Sequence, residues 1–335
     1  MKKVKNVLLA SLFMVGMVTG CSSKNIEEKQ ENKVENNQEK KVVQVVSPDG
    51  LPSMAIAKLI KENPEIIEEY EVKYSIEKTA ETLSTSVMKE VPDIAIVPSN
   101  MAAVAYNKTK NYNIAGTVGL GSFYIVSTED LKEYGDLKGK SILGIGKGLT
   151  PDITAKSILK EKGIDSESDV TFTYVNATSE LVPMILSGKE NTAIVPEPAL
   201  SALLSKKEEV SIFKSLNDEY KSLNKSEYGY PQSTIIVKKE FYSNNKDFVE
   251  GMIKSIEESI KWSKENSNEL ASYCEEIGLS TNKDIIPKAM ERANLNFVAI
   301  DKMEEDYMSY FKKLFDTDPK SVGGSMPDEG IFIER

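Results

Sequence analysis

Residues 93–100 read DIAIVPSN: four apolar residues, Ile94 to Val97, run unbroken into Pro98 and then into Ser99 and Asn100. A short apolar run closed by a proline and followed by small polar residues predicts a buried strand that turns directly into a helix start. The same grammar appears upstream. VVQVVS at 42–47 predicts a strand, Ser47-Pro48-Asp49-Gly50 a turn, and Leu51 to Asn63 a helix, with Ile56, Leu59 and Ile60 on one face and Pro64 as its stop. Strand, turn and helix in repetition give an α/β chain with a largely parallel sheet, whose turns lie at the carboxyl ends of strands, where open α/β folds bind ligands.

The pattern extends in both directions from this start. Tyr70 to Ile76 reads as a strand and Thr79 to Lys89 as a helix; Met101 to Tyr106 continues the helix opened by Ser99 and Asn100. Ser141 to Ile145, Val170 to Val175, Thr192 to Val195 and Ser233 to Val237 read as further strands, and Ile153 to Lys162, Glu180 to Ser187 and Ala199 to Leu204 as helices. Toward the C-terminus, Ile253, Ile256 and Ile260 form one helical stripe and Tyr307, Phe311 and Leu314 another; both read as core.

Composition narrows the chemistry. The 335 residues contain no histidine, so Ser-His-Asp and Cys-His nucleophiles and His-ligated zinc each lack an indispensable part. Arg292 and Arg335 are the only arginines, so recognition of carboxylate or phosphate by clustered guanidinium forks is nearly ruled out. A net charge of −10 without a long basic run argues against nucleic acid. Gly144-Ile145-Gly146-Lys147-Gly148 ends in Leu149 where a dinucleotide fingerprint needs glycine, and GDLKGKS at 135–141 is one residue short of a phosphate loop. The acidic stretch from Asp316 has Pro327 where a calcium loop needs its last carboxylate. The reading expects no cofactor, no metal and no enzymatic activity.

The first twenty residues hold Lys2, Lys3 and Lys5, a short apolar run from Val7 to Val18, and Thr19-Gly20 before Cys21. This predicts a lipoprotein signal peptide (1–20), with Cys21 carrying the lipid. Ser22 to Lys41 has two apolar residues in twenty and reads as a solvated tether (21–41 with the anchor). Cys274 is then the one remaining thiol and reads as a small core residue.

What remains is a set of polar strand-to-helix turns: Asp49-Gly50, Ser99-Asn100, Gly121-Ser122, Thr150-Pro151-Asp152 and Pro196-Glu197-Pro198. Helix amino ends of this kind offer oriented donors without any arginine. SPDGLPSMAIAKLI (47–60), DIAIVPSN, DLKGKSILGIGKGLTPDITAKSILKEKGI (136–164), ELVPMILSGKENTAIVPEPAL (180–200) and VGGSMPDEGIF (322–332) resemble, in order and spacing, the solute-binding lipoproteins of ABC importers. The nitrate, sulfonate, taurine and thiamine-pyrimidine binding group is the nearest in pattern.

The resemblance implies a two-lobed periplasmic-binding-protein-like fold of type 2, with two crossing strands as its hinge near Gly119 to Ser127 and Gly229 to Val237. Lobe one would take 42–127 and 233–335, and lobe two 128–232. Carried over by position, the ligand-binding residues would be Asp49, Gly50, Ser99, Asn100, Ser122, Thr150, Asp152, Glu197, Tyr230 and Gln232, with Tyr230 stacking on a planar ligand. The implied cargo is a small sulfonate-like or pyrimidine-like organic solute, and the implied partners are a permease and its ATPase subunits. The protein would be a monomer outside the cell membrane, held there by the lipid alone. Alternatives are a surface interaction protein without transport, and a small lyase or dehydratase on the same fold. A related pyrimidine synthase consumes a histidine that this chain lacks.

Overall fold

A computed structural model describes residues 40–334. The leader, Cys21 and the tether as far as residue 39 lie outside the described residues. Lys41, expected as the last tether residue, opens the first strand. In chain order the first part comprises β1 (Lys41–Pro48), α1 (Leu51–Ala55), α2 (Ala57–Glu62), β2 (Tyr70–Glu77), α3 (Ala80–Met88), β3 (Ile94–Pro98), α4 (Ser99–Thr109) and β4 (Tyr112–Leu120). The middle comprises β5 (Phe123–Ser127), β6 (Ser141–Ile145), α5 (Thr150–Glu161), β7 (Thr171–Val175), α6 (Thr178–Leu186), β8 (Thr192–Pro196), α7 (Ala199–Leu204), β9 (Ser211–Ser215) and α8 (Leu216–Asn224). The chain then returns through β10 (Pro231–Lys238), α9 (Lys239–Asn244), α10 (Lys246–Glu265), α11 (Ser267–Glu276), α12 (Ile286–Met290), β11 (Leu295–Ala299) and α13 (Glu304–Thr317).

Two sheets organise these elements into two lobes. The first has the strand order β11-β4-β10-β3-β1-β2 and the second β7-β6-β8-β5-β9. Local signals hold many of the ends: the Thr79 hydroxyl accepts the Thr82 N–H at the start of α3, and Ser215 accepts that of Asp218 at the start of α8. The helix expected over Leu51 to Asn63 is two pieces. Ile56 leaves helical geometry between α1 and α2, and Asn63 closes α2 in the left-handed region.

The sheets are mixed rather than largely parallel. β1 pairs in parallel with β2 and β3, and β6 with β7 and β8, as βα units require. β10, however, lies antiparallel between β3 and β4, and β5 antiparallel between β8 and β9. The reason is the direction of travel. Each of these strands enters its sheet from the other lobe, at the end where the parallel strands finish.

The crossings are therefore short. β4 ends in the first sheet at Leu120 and β5 begins in the second at Phe123, so the chain changes lobe across Gly121-Ser122. Phe123–Ser127, expected with lobe one, belongs to the second sheet. The return runs through Gly229 and Tyr230 into Pro231, and β10 lies wholly in the first sheet, so Pro231 and Gln232 belong to it and not to lobe two. A Cβ on Gly121 would lie 2.2 Å from Cε1 of Tyr230, so the two crossings touch only because residue 121 has no side chain. One apolar core runs from lobe one through Tyr220, Tyr230 and Tyr310 into the α5 face of the second sheet, with a smaller core on the opposite face.

Candidate functional site

β1, β3, β4, β6 and β8 all end toward the other lobe, and their carboxyl ends carry most of the residues singled out in the sequence. Several of these meet across the seam. Thr150, at the start of α5, donates its hydroxyl to Oδ1 of Asn100 on α4 at 2.9 Å, and both residues are buried. Asn100 also reaches the Ser321 carbonyl at 3.4 Å.

Ser122 and Gln232 join the two crossings. The backbone N–H of Ser122 donates to Gln232 Oε1 and the Gln232 amide donates to the Ser122 hydroxyl, each at 2.8 Å. This reciprocal pair fixes the amide orientation.

Glu197 follows β8 and is almost fully buried. Its carboxylate accepts from Nε of Arg292 at 2.7 Å, from the Ser201 hydroxyl at 3.0 Å and from the Ser201 N–H at 3.1 Å. Nη2 of Arg292 also donates to the Ser201 hydroxyl, and the Tyr124 hydroxyl donates to the Arg292 carbonyl. Burial pushes the Glu197 carboxyl above its ordinary value even though Arg292 and Ser201 pull it down. Arg292 lies between α12 and β11, so this cluster joins lobe one to lobe two. The sequence reading noted Arg292 only as a scarcity and did not place it here.

Asp152 is also buried, and accepts from the Gly148 N–H at 2.8 Å and the Tyr174 hydroxyl at 2.7 Å, with Lys156 Nζ at 3.4 Å. Tyr230 is fully buried. Tyr310 stacks on it, with centroids 5.6 Å apart at 23°, and Tyr220 meets it edge-on at 5.7 Å. In this arrangement its ring is packed against the protein's own tyrosines, where the sequence had placed a ligand.

Asp152 is thus bonded only within lobe two, and three more of the expected residues do not join the seam. The Ser99 hydroxyl donates to the Pro231 carbonyl and contacts Thr234 Oγ1 at 2.8 Å, both on β10 of its own lobe. Asp49 holds Lys78 at 3.0 Å and the hydroxyl and N–H of Ser280. Burial pushes its carboxyl up, but those three donors outweigh it and hold it below the ordinary value. Gly50 takes φ +106°, with open space where a Cβ would stand. Ser280 lies 231 residues from Asp49, so the sequence carried no local sign of that bond.

Among the described residues no helix is long and apolar enough to cross a membrane, and no group of three or more His, Cys, Asp or Glu is arranged to hold a metal ion. Cys274 is buried, which pushes its thiol up to about 12.

With this geometry in view, the model of the NMT1/THI5-like family matches residues 71–270, more than half of the chain. The chain belongs to the NMT1/THI5-like family. It is 24% identical over 214 residues to YtlA of Bacillus subtilis (strain 168), which is named as a binding protein; the match spans 62% of either chain. The crystal structure of an ABC transporter protein from Parabacteroides distasonis is 26% identical, with a TM-score of 0.76, covering 88% of this chain and 99% of that one. The periplasmic aliphatic sulphonate binding protein SsuA of Escherichia coli is 15% identical, with a TM-score of 0.69, over 88% of this chain and 92% of its own. These matches give the fold as that of the two-lobed periplasmic binding proteins, of the kind the sequence motifs imply.

Proposed function

We propose that the chain is an extracytoplasmic solute-binding protein of an ABC-type importer, which captures a small organic solute between its lobes and delivers it to a permease. The observation that carries this reading is the seam itself. Two lobes joined by short crossings meet through polar side chains on the carboxyl ends of their strands, and polar pairs such as Asn100–Thr150 are groups that a ligand's own donors and acceptors can replace. Family membership and the similarity to the Parabacteroides distasonis protein support it. Binding and release are non-covalent, so no catalytic residue is assigned.

The test is thermal unfolding of the purified protein against sulfonates, nitrate, pyrimidines, nucleobases, amines and amino acids. A binder of the native state raises the midpoint by mass action, by about 2.7 kcal/mol of stability at a hundredfold excess over Kd. One chemical class is expected to do so. No shift across the panel, with no solute carried through purification, would count against the reading.

Within the same proposal, the protein acts as a monomer and Cys21 carries the lipid that holds it at the membrane. Cys21→Ser is expected to move the protein from the membrane fraction to the medium or periplasm. Unchanged fractionation would remove the anchor from the proposal.

A further inference from the structure

Resting on the solute-binding reading, we propose that Gly121 gates closure: the bare backbone at residue 121 lets the two crossings come together, and any side chain there holds the lobes apart. The crossings are tied to opposite lobes. In the first, the Leu120 N–H donates to the Asn294 carbonyl at 3.0 Å and the Asn294 amide donates to the Gly121 carbonyl, which fixes Gly121 to lobe one beside the start of β11. In the second, Asn217 on α8 of lobe two accepts the Tyr230 N–H at 3.2 Å and donates to the Tyr228 carbonyl at 3.4 Å. Gly229, between those two, takes φ +103°, and a Cβ there would lie 2.0 Å from Asn217 Oδ1, so the chain runs directly against that amide.

The meeting of Gly121 with Tyr230 and Asn217 is therefore a contact between lobes, and rotation of one lobe against the other must change it. A Cβ on residue 121 would lie 2.5 Å from Tyr230 Cζ and 2.8 Å from Asn217 Oδ1, besides its clash with Cε1. Neither neighbour can give way. The Tyr230 ring is fully buried between Tyr220 of lobe two and Tyr310 of lobe one, and the buried Asn217 amide is engaged with the second crossing. Backbone conformation is not what demands glycine here, since Gly121, unlike Gly229, does not take a positive φ. An alanine fits the chain at this point but not the approach of the crossings. The lobes relieve the clash by moving apart about the short segments Gly121-Ser122 and Tyr230-Pro231. A solute captured between the lobes draws on the closed arrangement, so its apparent affinity falls with the closed fraction although residue 121 acts only as a positioning residue.

Carbodiimide coupling read by mass spectrometry tests this on the purified protein with no solute added. The reagent joins a lysine to a carboxylate only while the two are in contact. Lys313 of α13 and Glu161 of α5 make such a pair across the lobes at 2.6 Å, and Lys283 and Glu275 make one inside lobe one at 2.8 Å. The ratio of the two initial rates follows the closed fraction. Gly121→Ala, checked for a native melting transition, is expected to lower that ratio about tenfold. Gly119→Ala is the control and should leave it unchanged, since its Cβ would meet only Ser233 and Leu295 of lobe one, neither closer than 3.4 Å. A folded Gly121→Ala chain with the wild-type ratio overturns the proposal, and so does an equal fall in Gly119→Ala. A Gly121→Ala chain that does not fold overturns it too, because the contact is then a condition of folding and not of closure. The coupling needs no solute, so it decides the role of Gly121 separately from the melting panel, which decides the solute-binding reading.

Discussion

Arg292→Ala is expected to lower stability by about 3–5 kcal/mol at neutral pH, the usual cost of leaving one partner of a buried ion pair uncompensated. The Glu197 side chain is wholly inaccessible, and Arg292 supplies its charged donor at 2.7 Å. Ser201 cannot neutralise the charge that remains. Arg292→Lys should recover only part of the loss, because a single ammonium cannot serve both Glu197 and the Ser201 hydroxyl as the planar fork does.

The pH dependence has a definite sign. Burial holds the Glu197 carboxyl above its ordinary value in the folded state, so the folded protein binds more protons than the unfolded chain between the two values. That contribution is fully present below the ordinary value and is lost as pH rises through the folded one. Removing Arg292 takes away a group that pulls the carboxyl down, so the window extends upward and the deficit of the variant grows toward neutral pH. Urea unfolding of both proteins at pH 4.5 and pH 7 should show the smaller difference at pH 4.5. Adding Glu197→Gln to Arg292→Ala should recover most of the loss at pH 7, since the buried charge is then gone. A deficit equal at both pH values, and untouched by the second substitution, would rule out the buried charge as its cause.

The fold was legible wherever a period or a terminator was present. Ser141–Ile145 and Ala199–Leu204 appear with the boundaries their sequences suggest, and in DIAIVPSN the strand Ile94–Pro98 passes straight into the helix that starts at Ser99, with no turn residue between. β9 and β11 were missed because SIFKS and LNFVA are five-residue edge strands with weak alternation, held by β5 and β4. The antiparallel placement of β5 and β10 has no local signature, since it follows from which lobe the chain has just left.

The seam was legible residue by residue but not in its pairings. Polar turns after strands pointed to Asp152, whose bonds stay within lobe two, and to Asn100, Ser122, Thr150 and Glu197, which bond across the lobe boundary. Their partners come from far along the chain, which single-sequence periodicity does not report. Arg292 follows a short helix with no motif around it. Tyr310 was overlooked because the stripe of Tyr307, Phe311 and Leu314 already accounted for the buried face of α13. Two tyrosines three residues apart on that helix were the available signal, because buried phenols need partners. Tyr307 finds Thr117 and Thr234 in lobe one, whereas Tyr310 finds Thr154 in lobe two.

That difference makes Tyr310→Ala the other large effect, with an expected loss of about 3–5 kcal/mol for removing a fully buried aromatic ring. Tyr310 stacks on Tyr230, meets Tyr220 edge-on with centroids 5.6 Å apart, and shares a 2.5 Å hydrogen bond with the Thr154 hydroxyl. α13 belongs to lobe one, and α5 and α8 to lobe two, so the ring is the apolar centre of the join behind the crossings. The nearby Lys313–Glu161 pair is partly exposed and contributes little by comparison. Tyr310→Phe separates ring from hydroxyl. It should cost only about 1 kcal/mol, because Thr154 keeps its bond to the Thr150 carbonyl at 2.6 Å. If the alanine variant lost no more than the phenylalanine variant, the ring stack would not be what holds the rear of the seam. If it loses the expected amount, solution scattering should also show a larger radius of gyration, since the ring is the apolar centre of the join between the lobes.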